Sequence, residues 1–428
     1  MKVLVAVENR LYRTKDGFTV QGPAGYSVWS ELLEAFDQVV LVARVRQGSS
    51  GSGAERVDGP RVSVHELPDF SGPAEYALGS PALRRRVRQA AAECDAYILQ
   101  APGVVARLVW RELRKNRTPY AVNAMGDPWD ALGPNTLPTI FRPIYRSVLT
   151  REMRTMCSHA QAVLYWSRTI QQRYPAAENG YTTVSPRIVL PCGFASTEVM
   201  RQRADRTQDI GDGNSRSFRA GFIGSFEQLY KGPDTLLHAV SACLRTGLDI
   251  RALLIGEGRC REQMKSLARA LSIDHKVMFP GQLASGKPIV DFLDSLDLFV
   301  MPSRAEGLPR ALVEAMARGC PCIGSRIGGI PELLHPDDLV PPGDAQALAM
   351  KILQVANDRQ RLTEMSMRNL ETAKEFDPDL LRQQRAEFYR HVKMQAGSPK
   401  TREAQPVVAE SRSPLAEKVS DVRLERRA

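Results

Sequence analysis

Glu306 and Glu314 have seven residues between them in the stretch LFVMPSRAEGLPRALVEAMARGCPCIGSRIGGIPELL, which runs from Leu298 to Leu334. An ionised carboxylate offers two acceptor oxygens, which match a vicinal diol such as a ribose. A nucleoside diphosphate-sugar is too long for one carboxylate to reach both ends. A second carboxylate in a loop at a helix start could reach its sugar. The N–H groups of Gly307 and Leu308 stand where they could hold sugar oxygens or a departing phosphate. Lys231 adds a cation. In Phe222-Ile223-Gly224-Ser225-Phe226, then Lys231-Gly232, a strand ends, a glycine lets the backbone turn and a lysine precedes a helix. Lysine is a point charge suited to a phosphate, and a helix N-terminus adds N–H donors and partial positive charge. The P-loop pattern is absent. Taken alone, Glu306 also reads as an electrostatic helix cap, Glu314 as a solvated helix face and Lys231 as a surface lysine.

The hydrophobic pattern supplies the elements that must position these groups. Leu298 to Met301 is an apolar run of strand length, and Ser303 to Gly307 is a polar loop. A helix opens near Pro309, whose missing N–H has no intrahelical partner at a first helical position. It stops at Gly319. A short strand follows at Pro321 to Gly324, then Gly328-Gly329 and Pro331-Glu332. Upstream, Val3 to Val7 reads as a strand buried on both faces. A polar, glycine-containing loop follows from Glu8 to Gly25, then a helix around Ser27 to Leu33 and a strand at Val39 to Val45. That is a βαβ unit and implies a parallel sheet. Gly22 and Gly25 read equally as a flexible turn and as backbone donors to a phosphate. Further strands are predicted at Val62 to Val64, Ala96 to Leu99, Tyr120 to Val122, Ala162 to Tyr165 and Arg187 to Leu190. Helices are predicted at Pro81 to Glu93, Val104 to Lys115 and Pro138 to Ser158. Asp127 follows the strand at Tyr120. Ligands sit at strand carboxyl ends in such sheets, which makes Asp127 a candidate site residue, although Asp before Pro is also a common turn former.

The polar stretch 195–217 reads as a linker. A second α/β series begins at Arg219, and 345–373 and 379–393 read as helical. The predicted layout is an N-terminal Rossmann-like domain (1–194), the linker (195–217), a C-terminal domain (218–376), a closing helix (377–395) that crosses back to the first domain, and a disordered tail (396–428).

The chain has 428 residues and a net charge of +10, from 58 basic and 48 acidic side chains. Among residues 1–190 the count is 24 basic to 17 acidic. Arg142, Arg146, Arg151 and Arg154 lie among Ile140, Phe141, Ile144, Val148, Leu149 and Met153 on one predicted helix. The readings are contact with an anionic bilayer and an ordinary solvated face. Seven scattered cysteines, without a C-x-x-C pair, point to reduced, buried thiols and a cytoplasmic location. Cys320-Pro321-Cys322 has no partner ligands in view, so no metal is expected. The only literal D-x-D, Asp377-Pro378-Asp379, reads as a helix cap. No apolar window reaches the ~20 residues of a membrane span.

The stretch PSRAEGLPRALVEAMARGCPCIGSRIGGIPELL resembles the E-x7-E signature of retaining glycosyltransferases of family 4, which have the GT-B fold. FIGSFEQLYKG resembles the family's phosphate-binding segment, LLIGEG and VMFPGQL its segments near the nucleobase, and IVLPCGF the end of its N-terminal domain. The strong part of the match covers about residues 187–340. The resemblance implies an α/β GT-B fold, two Rossmann-like parallel-sheet domains facing a cleft. It implies a nucleotide-sugar donor of UDP or GDP type and a glycan or lipid-linked acceptor, in polysaccharide or glycolipid synthesis. No cofactor and no nucleic-acid partner are implied, and peripheral attachment to the inner face of a membrane is consistent with the basic N-terminal half.

Glu306 would then contact the donor sugar, Glu314 the ribose hydroxyls, and Lys231 the leaving diphosphate. Gly224, Ser225, Gly307, Leu308 and Gly281 would line the donor, and Gly25 would approach the phosphates or acceptor. Asn123 or Asp127 stands nearest the place where the family often has a histidine near the sugar. The implied reaction is a front-face substitution through an oxocarbenium-like transition state, with positive groups stabilising the leaving phosphate. The glutamates would therefore not be the acid and base of a glycosidase. Ser225 replaces the family's usual arginine; Arg304 and Arg310 are the candidates to compensate. Leu308-Pro309-Arg310 replaces a commoner Phe-Gly version. The competing readings are a sugar-nucleotide epimerase and a binding protein that uses its basic N-terminal half.

Overall fold

The computed structural model describes residues 1–22, 24–48, 53–70, 73–132, 142–190, 193–208 and 216–397. The expectations for Pro138 to Phe141, for Pro191 and Cys192, and for the tail beyond Gly397 lie outside these residues.

Two parallel sheets organise the chain. The N-terminal sheet is built on Lys2–Ala6, flanked by Gln38–Gln47 on one side and Ala96–Ala101 on the other, with Ala121–Ala124, Ala162–Tyr165 and Tyr181–Val184 continuing outward. Val62–Pro68 also pairs with Gln38–Gln47. The central strands are near-continuous Val, Leu and Ala because helices cover both faces.

The stretch read as a glycine-rich loop after the first strand is a hairpin. Leu11–Thr14 and Gly17–Gln21 pair antiparallel and extend the sheet, with Ala54–Arg56 beyond them. The alternation in Phe18-Thr19-Val20 carries this, and Gly17 takes the positive φ of 137° at the turn.

The C-terminal sheet has six strands in the order Val277–Gly281, Ile250–Ile255, Phe218–Ile223, Leu298–Met301, Cys322–Ser325, Leu339–Val340, all parallel. Every side chain of Leu298–Met301 is buried. The order reverses direction between Phe218–Ile223 and Leu298–Met301, so a crevice opens outside their carboxyl ends.

Within the stretch read as a linker, Thr197–Gln208 is helical. Arg203, buried on this helix, donates to the carbonyls of Leu293, Leu296 and Arg318 and so fastens it to the C-terminal elements. The continuous helix expected over 345–373 is two, Ala345–Ala356 and Arg359–Ala373, because Asp358 caps the second through the N–H of Arg361. Asp377 accepts from the N–H groups of Asp379 and Leu380 and caps Pro378–Gly397. That last helix packs Phe388, Tyr389 and Val392 into the core beneath the first strand of the chain. Cys94, Cys157, Cys243, Cys320 and Cys322 are buried free thiols and Cys260 is partly buried. Among the described residues no helix is long and apolar enough to cross a membrane, and no cluster of metal-ligating side chains occurs.

Candidate active site

Lys231 and Glu306 come from loops that follow adjacent strands. Phe218–Ile223 leads through Gly224 and Ser225 to a short 3-10 turn, Leu229–Lys231, and Leu298–Met301 leads to Glu306. The turn closes on Gly232, which has a φ of 73° and abuts the Pro302 carbonyl, where any side chain would collide. The helix Pro233–Arg245 starts there.

The Lys231 ammonium lies 2.5 and 2.8 Å from the two oxygens of Glu306. Glu306 keeps 4% of its side-chain exposure and Lys231 19%, so water screens the pair weakly. Each group fixes the other. The lysine forms the exposed edge of the pair.

The loop carrying Glu306 is braced from behind. Gly328, with a φ of 55°, presses on the Glu306 carbonyl, where a Cβ would clash. Gly329 donates its N–H to the Gly307 carbonyl at 2.7 Å. The glycine pair is therefore the support of the glutamate loop. The helix that follows is Arg310–Ala317, with Pro309 at its N-cap rather than inside it. Among the described residues, the N–H groups of Gly307 and Leu308 have no protein acceptor. Two free donors beside a buried carboxylate are what an oxygen-rich ligand needs.

Glu314 lies inside this helix and is partly buried. Burial pushes its carboxyl up to about 7, and the Arg310 charge opposes this only in part. No hydrogen bond or ion pair to its carboxylate occurs among the described residues. A desolvated carboxyl without a donor gains from a ligand hydroxyl pair.

Three glycines pack together at the carboxyl ends of Phe218–Ile223, Ile250–Ile255 and Val277–Gly281. Gly224 donates to the Ile255 carbonyl at 3.0 Å, and Gly256 donates to the Gly281 carbonyl at 2.9 Å. Gly256 has a φ of 144° and faces the Gly224 carbonyl so closely that no Cβ fits. Gly281 has a φ of 90° and sits against the Glu257 carboxylate. Sequence reading named Gly224 and Gly281; Gly256, within Gly-Glu-Gly, is the tightest of the three.

Ser225 is exposed and its hydroxyl accepts from the Glu227 N–H at 3.2 Å. Arg304 does not compensate for it. Its guanidinium is bidentate to Asp234 at 2.7 and 2.8 Å, and also donates to Thr235 and to the Leu229 carbonyl. Arg310 is exposed on the helix that holds Glu314 and remains the available cation.

On the N-terminal side, Asp127 is buried and its carboxylate is committed. It caps the turn Pro128–Ala131 through the Trp129 N–H at 2.8 Å and accepts from Arg173 and from the Tyr174 hydroxyl. Gly25 has its N–H taken by the Glu55 carboxylate at 3.0 Å. Neither group meets Lys231 or Glu306 in a hydrogen bond or ion pair.

Among the described residues, several contacts join the two sides near the site. Gly307 faces the Met125 carbonyl, 3.8 Å from where its Cβ would be. The Glu332 carboxylate accepts from the backbone N–H groups of Arg168 and Thr169 at 2.7 and 2.5 Å, at the start of the helix Arg168–Arg173. Thr169 also donates to the Gly328 carbonyl at 3.4 Å. Sequence reading quoted Glu332 only as part of a motif. Its link to residues more than 160 positions upstream has no local signal.

Comparisons with known proteins bear on the family and the fold. Residues 217–358 match the family model described as glycosyl transferases group 1. Protein CapJ of Staphylococcus aureus is 22% identical over 373 residues, covering 86% of this chain and 90% of that protein. The putative colanic acid biosynthesis glycosyltransferase WcaL of Escherichia coli is 33% identical over 131 residues, covering 28% of this chain and 32% of that protein. The crystal structure of Anabaena Alr3699/HepE in complex with UDP and glucose superposes with a TM-score of 0.60 at 21% identity, over 90% of this chain and 98% of that one. The two-sheet architecture expected from the sequence is thereby that of the GT-B glycosyltransferases.

Proposed function

We propose that this chain is a retaining glycosyltransferase that moves a sugar from a UDP- or GDP-type donor to a glycan or lipid-linked acceptor, in polysaccharide or glycolipid synthesis. One observation carries the reading: the Lys231–Glu306 pair, with the lysine at its exposed edge, stands beside two backbone N–H groups that have no protein acceptor among the described residues, at the reversal point of the C-terminal sheet. Lys231 meets the charge that grows on the leaving diphosphate, and the pairing with Glu306 holds it in place before the donor arrives. Glu306 accepts from hydroxyls of the donor sugar, Gly307 and Leu308 donate to its oxygens, and Glu314 accepts from the ribose diol. The glycines Gly224, Gly256 and Gly281 leave room for the nucleotide. Asp127 positions: it ties the Met125–Gly126 loop, which faces Gly307, to Arg173 and Tyr174. A lipid-linked acceptor would put the enzyme at the cytoplasmic face of a membrane.

The names of the relatives support polysaccharide synthesis, and the ligands of the Anabaena structure support a uridine nucleotide. A thermal-shift screen over UDP- and GDP-sugars tests the donor. A ligand at about 100 times its dissociation constant adds ~2.7 kcal/mol of stability. The anomeric configuration of the product, read by NMR, tests retention. No shift with any nucleotide-sugar would sink the reading.

A further inference from the structure

The helix Arg142–Ser158 is fixed on one face and unusual on the other. Met153, Met156 and Cys157 are buried in the N-terminal core, and the Met156 carbonyl accepts from the Tyr120 hydroxyl at 3.1 Å. Its outer face exposes Ile144 (61%), Tyr145 (51%) and Val148 (46%). Trp129, 40% exposed, adjoins it: the Arg146 guanidinium stacks 3.5 Å over the indole and donates to the Trp129 carbonyl at 2.7 Å. Helical spacing puts residues 144, 148, 151 and 155 along one line. Along that line the apolar Ile144 and Val148 give way to the exposed Arg151, and Arg154 is exposed to one side of it.

Beside it, between this helix and Val104–Lys115, lies a cleft of about 670 Å3 lined by Arg111, Arg114, Lys115, Arg151 and Val148, with Glu152 as its acid. Glu152 is bound at 2.7 and 3.0 Å by Arg107 and Arg111. Lys115 is paired with Glu112 at 2.9 Å, and the cations outnumber the acids around the cleft.

We propose that this face is a docking surface for an anionic phospholipid bilayer: Ile144, Tyr145, Val148 and Trp129 enter the headgroup–acyl boundary, and the cations of the cleft meet lipid phosphates. Charge complementarity and apolar exposure point to this occupant together. A nucleic acid or a soluble polyanion would use the cations and gain nothing from exposed isoleucine and valine. A bilayer uses both. The inference deepens the lipid-linked arm of the proposed function, because it brings the acceptor side of the enzyme to the membrane plane.

Flotation of the full chain with vesicles tests it. Binding is expected to phosphatidylcholine vesicles containing roughly one-third phosphatidylglycerol and not to phosphatidylcholine alone, and R151Q/R154Q should lower the partition coefficient about 30-fold. I144S/Y145S/V148S should lower it at least about tenfold with an unchanged melting midpoint. Brominated acyl chains should quench the Trp129 component, identified by its loss in W129F. Failure to float with anionic vesicles overturns the proposal. So does wild-type-like binding by I144S/Y145S/V148S, or full competition by inorganic phosphate or polyglutamate at matched ionic strength. A nucleotide-sugar thermal shift that persists when flotation fails would leave the transferase reading standing and remove the surface alone. Flotation without any such shift would do the reverse.

Discussion

In the N-terminal half, Asp127 holds Trp129, Arg173 and Tyr174, and Glu55 holds the N–H of Gly25. In the C-terminal half, Glu314 has no donor, and Gly307 and Leu308 have no acceptors, among the described residues. The first set of polar groups is spent on positioning loops. The second set has no protein partners and is open to a ligand. On the proposed reading, a preorganised donor half and a structurally saturated acceptor half would divide the work: chemistry on one side, shape and approach on the other. Substitutions in the two halves should therefore fail in different ways.

The largest effects belong to the ion pair. Lys231→Ala leaves Glu306 buried without a cation, and Glu306→Gln leaves Lys231 without its anchor. Each should lower kcat/KM by about 100- to 1,000-fold. Lys231→Ala should also cost about 3 kcal/mol of unfolding free energy, read by urea titration. Wild-type-like turnover in both variants would erase the contrast between the halves.

Next comes Glu314. Its carboxyl is pushed up to about 7 from an ordinary value of 4.5. The folded state therefore favours the protonated form. The associated stability is fully present below about pH 4.5 and is lost as pH rises through 7. Relative to Glu314→Gln, the wild type should weaken by about 2–3 kcal/mol between pH 4.5 and 8. Nucleotide binding should move the opposite way, tightening as the carboxylate ionises and can accept from both ribose hydroxyls. Parallel denaturation and calorimetry at several pH values check both slopes, and a flat binding profile would remove the ribose role.

Glu332 probes the joint between the halves. Glu332→Ala removes the acceptor for the N–H groups of Arg168 and Thr169. It should slow transfer about five- to tenfold while leaving donor affinity within about twofold, an effect of about 1 kcal/mol at a partly exposed pair. Steady-state kinetics beside donor titration would separate this from damage to the donor site. Equal losses in both would mean that Glu332 supports the Gly328–Gly329 brace and not the domain contact.

The elements that carry the C-terminal candidate site were legible in the sequence because each has a local pattern. Glu306, Gly307, Leu308 and Glu314 share one loop and one helix, and Lys231 follows a strand whose apolar run is plain. The N-terminal side was less so. The hairpin Leu11–Thr14 and Gly17–Gln21 was hidden by the glycines and charges around it, although Phe18 to Val20 alternates. Asp127 was placed at the right strand end, but nothing in its neighbourhood announces Arg173 and Tyr174, more than 45 positions away. The same holds for Arg304, whose commitment to Asp234 across 70 positions removes it from the phosphate role. Long-range polar pairing has no period, so hydrophobic patterning does not report it.

The smallest expected effect is a gain. Ser225 is exposed at the end of Phe218–Ile223, in the segment that leads to Lys231, and its hydroxyl is engaged only by the adjacent Glu227 N–H among the described residues. On the proposed reading Lys231 would meet the diphosphate with part of its charge offset by Glu306, while Arg304 is held by Asp234. Ser225→Arg adds a second cation on a surface with room for a long side chain. A solvent-exposed charge pair contributes about 0.5–1 kcal/mol, so affinity for a nucleoside diphosphate should rise about two- to fivefold. The gain should shrink at high salt, as an exposed contact does. It should appear for the diphosphate and vanish for the nucleoside, because only the phosphates meet the new guanidinium. Calorimetry with the two ligands at low and high salt reads all three features. Equal tightening for both ligands would place the new arginine against the base or ribose and move the diphosphate away from Lys231, which would undo the division between the two halves at its most accessible point.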